Sequence, residues 1–304
     1  EMIQQIKTMK KTPYPAVFSY FCYTNYEFKL IKTKHTVNLN SKLALLLLLF
    51  ISAIGQAQID STPPQRAKVH HIEPLFIDLV RDLGARKGEK EFNLAADFAN
   101  TTTYNQYDVL AEYEFAPIDR LGLEIETDFS FYKQFSNLEE APKNKFDNLR
   151  LSAQYSFYVS PKYKTTLALG YTQVFNFIDF ENVNNDQLVT GLEYLPFIVA
   201  AKRWGEQFHT LVLAGPILKH AFGTNHTDVD WQFNTSLDYE IPNSSHFIGI
   251  EFNKEFANGD FKMTMRPQAK LQIDEALAIG FVAGFPITKS EHKFSSFFRV
   301  IYEL

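Results

Sequence analysis

The chain has almost no cysteine. A single Cys in 304 residues, Cys22, excludes a disulfide scaffold and any zinc or iron–sulfur site built on thiolates. Long apolar runs are also scarce. Only residues 43–54 (LALLLLLFISAI) form one, and 12 residues fall short of the roughly 20 needed to span a bilayer as a helix. A mean hydropathy of -0.20 likewise argues against a bundle of membrane helices. The formal net charge is -5, so nucleic-acid binding, which favours basic surfaces, is not indicated. Aromatic side chains, in contrast, are abundant. With 29 Phe, 15 Tyr and 2 Trp the chain is not a disordered one.

Residues 43–54 follow Lys32, Lys34 and Lys42 and precede Gly55-Gln56-Ala57, which places small residues at -3 and -1 of a cleavage site. Basic flank, apolar stretch and small-x-small site read as a secretory signal peptide. The competing reading is a buried core helix, but the leucines run all round without helical period. About forty residues precede this stretch and the chain opens on Glu1, so residues 1–40 read as an over-extended frame. Residues 1–57 are therefore expected to be an upstream extension plus signal peptide. Cys22 lies upstream of the apolar run, so no lipobox-type lipid anchor is expected. Removing residues 1–57 takes away seven lysines and two glutamates, leaving 23 basic against 33 acidic side chains over 247 residues.

Residues 58–89 read as a periplasmic lead-in. Within it Ile72, Leu75, Phe76, Leu79, Val80 and Leu83 recur as one apolar stripe of helical period. Pro74 suits a first helical position and Gly84 a stop, which predicts a short amphipathic helix over 74–83. From about residue 90 the period changes to two. Tyr107, Val109, Ala111, Tyr113 and Phe115 alternate with Asp108, Leu110, Glu112 and Glu114, and runs over 121–132, 149–159, 229–239 and 261–272 behave alike. Runs of this length exceed the roughly 5–6 residues of globular strands and match the roughly 9–11 of tilted membrane strands.

Twelve strands are expected, near 90–99, 106–116, 121–132, 147–159, 165–176, 187–200, 207–218, 228–240, 246–256, 261–272, 276–286 and 293–304. Tight connections at 116–120, 160–164 and 274–275 and longer polar ones at 133–146 and 177–186 fit the two ends of an outer-membrane barrel. Pro196 and Pro267 fall inside strands, where a missing N–H predicts a bulge. Phe294, Phe298, Val300, Tyr302 and Leu304 share one face of the last strand and look like the signal read by barrel-assembly machinery. The predicted fold is all-β: a closed antiparallel transmembrane β-barrel of about twelve strands over 90–304, set in lipid of the bacterial outer membrane. A soluble sandwich also alternates, but strand length, terminal aromatics and the signal peptide favour the membrane.

Chemistry is best sought on the lumen face. Glu112, Glu114, Glu124 and Glu126 flank one tight hairpin and should cluster near its periplasmic end. Close carboxylates repel and need cations or raised pKa values. Arg150 and the stripe Lys262, Arg266, Lys270 supply positive charge. This set reads either as a charged pore or solute site, or as a salt-bridged network that fills a narrow lumen. Arg81, Arg86 and Lys87, beside the expected helix, could dock it on the acidic cluster as a plug or lid. Metal ligation by His70, His71 and Glu73, or by His220 and His226, lacks convincing spacing. Adjacent Ser245 and His246 would point to opposite strand faces, which disfavours a hydrolase. No phosphate-binding glycine loop or nucleophile elbow is present, and no cofactor is expected.

The segment His71-Ile72-Glu73-Pro74-Leu75-Phe76-Ile77-Asp78 resembles the His-Ala-Glu-Pro-Leu-Tyr-Ile-Asp signature of a family of exported barrels. The following Leu79-Val80-Arg81-Asp82-Leu83-Gly84-Ala85-Arg86-Lys87-Gly88 and residues 112–124 are similar to it as well. The resemblance implies an outer-membrane location and marks His71, Glu73, Pro74, Asp78, Arg81, Asp82, Gly84 and Arg86 as signature positions. It implies no substrate. The functional expectation is an outer-membrane barrel that passes or binds a small solute. The alternatives are an accessory barrel with a filled lumen serving a partner complex, and an outer-membrane lipid hydrolase.

Overall fold

The computed structural model describes residues 66–77, 79–135, 141–183, 187–224, 226–288 and 293–304. The expected extension and signal peptide, residues 1–57, and Asp78 lie outside the described residues. Twelve strands follow in order: β1 (Lys90–Asn100), β2 (Tyr104–Ile118), β3 (Leu121–Gln134), β4 (Lys145–Ser160), β5 (Thr165–Phe177), β6 (Val189–Trp204), β7 (Phe208–Ala221), β8 (Asp228–Glu240), β9 (Phe247–Ala257), β10 (Asp260–Gln272), β11 (Leu277–Pro286) and β12 (Phe294–Glu303). Each pairs antiparallel with its sequence neighbours, and β1 closes on β12 through the register Glu91↔Glu303 to Asn100↔Phe294. The predicted closed barrel is thus the observed one. Closure removes every sheet edge and lets the backbone bond laterally.

The start of β1, the end of β12 and the β2–β3, β4–β5, β6–β7, β8–β9 and β10–β11 turns share one end, which corresponds to the periplasmic side of such a barrel. Alternation sorts the side chains as the period-two pattern requires. Outward residues are apolar and exposed. Tyr107, Phe131, Trp231 and Phe261 ring one end, and Phe92, Tyr163, Trp204, Phe208 and Tyr302 ring the other. Two aromatic girdles around an apolar band suit lipid on the outside.

Two expectations need correction. Neither proline makes a bulge. Pro267 stays in register with Ile250, and toward β11 the ladder skips Arg266 and Pro267 with no shift between Met265↔Phe285 and Gln268↔Val282. Pro196 pairs with Tyr171, and the β6–β7 ladder simply skips residues 195–197. Each proline sits where one ladder is interrupted, so its missing N–H is absorbed by that gap and no extra residue is needed. Register shifts occur instead at Phe115/Ile118, Asp128/Phe129, Tyr155/Tyr158 and Asn176/Phe177.

The expected helix over 74–83 is also absent; its described residues form bends and turns. The apolar stripe does not form one face but divides between opposed walls. Leu79, Val80 and Leu83, with Ile77, pack in a cluster with Ala168, Phe197, Val199, Ala201, Leu211 and Leu213 of β5–β7. Ile72 and Leu75, with Phe76 against them, join Ala95, Phe247, Val282 and Phe297 of β1, β9, β11 and β12. A helix stripe presents one face to one core. A segment enclosed by a barrel wall has apolar surface on both sides, and an irregular path serves it better.

Candidate functional site

Residues 66–89 form a re-entrant loop in the periplasmic half of the lumen. The chain enters beside His209 and Glu240, reaches its apex at Leu75–Ile77 against β9 and β10, and returns to the β2–β3 turn before β1 starts. Lys68 ties the two limbs at the base, with Nζ 2.8 Å from Asp82 and 2.9 Å from Glu89. Burial opposes the charge on Lys68, and the two carboxylates more than offset it, so its pKa lies above the ordinary lysine value.

Lumen side chains capture the loop by its backbone. The N–H of Ile72 donates to His209 Nδ1 at 3.1 Å, that of Leu75 to Gln268 Oε1 at 2.7 Å, and that of Gly84 to Ser156 Oγ at 2.8 Å. Phe76 and Ile77 donate to the two carboxylate oxygens of Glu251, each at 2.9 Å. Gln154 Nε2 donates to the Arg81 carbonyl at 2.6 Å. A segment without a helix or ladder must find partners for its amides elsewhere, and here the wall supplies them. Two wall glycines make room. A Cβ at Gly122 would stand 2.5 Å from Arg81 Cβ, and one at Gly280 would stand 2.5 Å from Leu75 Cδ2.

The expected lumen residues fall into two groups. Glu112 and Glu114 on β2 lie opposite Glu126 and Glu124 on β3, all four buried. Arg81 of the loop, 1% exposed, reaches this region. Its guanidinium lies 2.7 Å from Glu91, 2.9 Å from Glu303 and 3.5 Å from Glu114. Arg299 pairs with Glu112 at 3.0 Å, Arg150 with Glu126 at 3.5 Å and Asp128 at 3.4 Å, and Ser152 Oγ donates to Glu124 at 2.8 Å. Like carboxylates are therefore interleaved with cations and donors. The β10 residues stand apart from this cluster. Arg266 stacks 3.4 Å over the Phe76 ring and donates to Ser295 Oγ, and Lys270 lies 5.8 Å from the Phe247 ring centroid. Lys262 lies toward the outer end of the same strand.

The signature positions are mostly parts of the loop. Pro74 is buried between the limbs, and Glu73 is the carboxyl neighbour of Asp82. Burial first, then Asp82, pushes Glu73 well above the ordinary carboxylate range. Burial first, then the neighbouring His209, His70 and Arg203, push His71 down to about 3, and its Nε2 lies 2.9 Å from Thr166 Oγ1. Burial opposes the charge of Arg81, but its carboxylate neighbours overcome this and raise its pKa. Arg86 is exposed and touches none of the acidic cluster, while the Lys87 N–H donates to Asp119 at 3.0 Å.

Several holding residues were missed in the sequence: Glu91, Gln154, His209, Glu251, Gln268 and Glu303. Each lies on a lumen face by period two, which was the available signal, but nothing local says that it meets the loop. His220 and His226 sit near the outer β7–β8 loop. Ser245 and His246 lie in the β8–β9 turn, where His246 Nδ1 accepts the Gln272 N–H.

No curated protein matches this chain in sequence. Among solved structures, an outer membrane channel from Pseudomonas putida F1 is similar at a TM-score of 0.59 and 11% identity, covering 77% of this chain and all (100%) of that one. The KdgM porin is similar at a TM-score of 0.47 and 11% identity, over 70% of this chain and 99% of that one. At such identities the likeness is one of barrel fold. Residues 67–303, from the base of the loop to the end of β12, match the HAEPLYID-like family, and the chain belongs to that family.

Proposed function

We propose that the protein is an outer-membrane solute channel held closed by residues 66–89 as a plug. One observation carries this reading: the wall holds the loop through polar groups, Glu251, Gln268, His209, Ser156 and the carboxylates around Arg81. Those groups can be rehydrated when the loop leaves, whereas an apolar wall would not be wetted readily. Twelve strands also fall between the roughly eight of barrels filled by their own side chains and the roughly sixteen of open porins. A lumen of that size has room for a solute once a plug is removed.

The accessory-barrel reading has its own support in the two apolar clusters, which would suit a permanent filling. No observation favours lipid hydrolysis. Planar-bilayer recording of the full chain and of a variant lacking residues 70–86 separates the first two readings. Raised conductance in the deletion, with the heat-modifiable mobility of a folded barrel retained, supports the channel. Unchanged conductance with a folded barrel supports the filled lumen.

A further inference from the structure

Arg81 and the two apex amides of the loop are hydrogen donors, and the wall answers them with carboxylates. Arg81 fills the space between Glu91, Glu114 and Glu303. The two apex N–H groups fill both oxygens of Glu251. A separate observation points the same way. Asn93, 0% exposed, gives its Nδ2 to Glu91, Glu112 and Glu114 while its buried Oδ1 meets no donor, and the buried Gln154 Oε1 also meets none. Buried acceptors thus stay open beside the loop, as does one buried donor, Arg81 Nε.

The wall's own cations do not restore the balance when the loop leaves. Arg299 stays with Glu112, and Arg203 stays with Glu240 at 3.1 Å. With Arg150 beside Glu126 and Asp128, Lys219 beside Asp230 and Lys262 toward the outer end, Arg266 and Lys270 on β10 stand against Glu91, Glu114, Glu251 and Glu303, with Glu124 and Asp238 on the same lumen face. Water entering the lumen lifts the desolvation that opposes charge on buried carboxylates. A narrow passage lined by one sign of charge concentrates counter-ions and repels co-ions.

Building on the channel reading above, we propose that the path opened by withdrawal of the loop is cation-selective, with Glu91, Glu114, Glu251 and Glu303 as the selecting residues and a small cationic solute as the cargo. The loop then closes the channel by presenting its own cation, Arg81, and its own donors to the groups that would receive the solute.

The test uses the full chain in planar bilayers under a KCl gradient, reading the reversal potential of open events. The wild type should prefer K⁺ over Cl⁻ several-fold. The combined Glu91→Gln, Glu114→Gln and Glu251→Gln variant should open more often and lose most of that preference. Should the triple variant fail to assemble, Glu303→Gln at the half-exposed periplasmic rim must lower the preference alone. Open events that favour Cl⁻, or that show no preference, overturn the selectivity while leaving a channel standing. A complete absence of open events, in wild type and in Arg81→Ala, overturns the channel reading and the selectivity with it.

Discussion

Glu251 on β9 receives the backbone N–H groups of Phe76 and Ile77, one on each carboxylate oxygen, and is itself 0% exposed. Two adjacent amides converging on one carboxylate fix both the position and the direction of the loop apex, as a bidentate contact does between side chains. The same carboxylate lies near Arg266, which stacks on Phe76 from the β10 side. The apex is thus clamped between an anion that takes its backbone and a cation that covers its ring.

Glu251→Gln keeps the shape but leaves an amide nitrogen facing one N–H. Losing charge-assisted bonds of this kind should weaken docking of the loop by about 2 to 3 kcal/mol. Trypsin reports it directly, because Arg81 is buried and Arg86 is exposed. Cleavage after Arg81, measured relative to cleavage after Arg86, should rise strongly in the variant. An unchanged ratio would show that Glu251 does not hold the apex.

The barrel is legible in the sequence because period two survives in a closed sheet: outward Phe, Tyr and Trp alternate with inward residues that are mostly polar. Strand positions follow from that pattern, while the β1–β12 closure is seen in the structure. The loop is only half legible. The stripe Ile72, Leu75, Phe76, Leu79, Val80 and Leu83 correctly marks a buried segment, and Arg81 correctly marks a cation near the acidic hairpin. Helical spacing, however, describes burial against one wall, and this segment is buried against two. The residues that hold it lie 72 to 193 positions away in sequence for Ser156, His209, Glu251 and Gln268, so local pattern cannot join them to it.

Gly122 and Gly280 both leave room for the loop, but substitution should affect them unequally. Alanine at Gly122 would press on Arg81 Cβ, with Arg81 N at 3.4 Å and Cα at 3.5 Å, so no rotamer change relieves it. Alanine at Gly280 would meet only the Leu75 side chain, which can turn aside. Gly122→Ala should therefore undock the loop by about 1 to 3 kcal/mol of overpacking, and Gly280→Ala by less. Leu75→Val should relieve the second clash and not the first. Equal protease sensitivity in the two alanine variants would contradict this ranking.

Arg81→Met keeps much of the volume and removes the charge. It would leave Glu91, Glu114 and Glu303 facing one another without their shared cation. Removing one partner of a buried ionic group typically costs about 3 to 5 kcal/mol. Chymotrypsin cleavage after Phe76 should become readily detectable, and Arg81→Lys should restore part of the protection, since a lysine keeps the charge without the planar fork. Protection as complete in Arg81→Met as in the wild type would exclude this ion cluster as an anchor of the loop.

Acid should loosen the loop through His71. Docked, its pKa is held at about 3 by burial and by the nearby His209, His70 and Arg203, against 6.5 when released. The docked form is therefore neutral, and the released form takes up a proton first. The contribution of His71 to docking is fully present above pH 6.5 and is lost as pH falls toward 3. The slope is about 1.4 kcal/mol per pH unit, so about 2 kcal/mol is gone by pH 5. Glu73 acts in the opposite sense. Its raised pKa favours the docked form below its ordinary value, and that advantage fades as pH rises. The wild-type profile sums the two, and His71→Asn separates them. The difference in open probability between wild type and His71→Asn should grow steadily from pH 6.5 downward, with the wild type gaining on the variant as acid is added. A difference independent of pH across that range would show that His71 is not the group that loosens the loop.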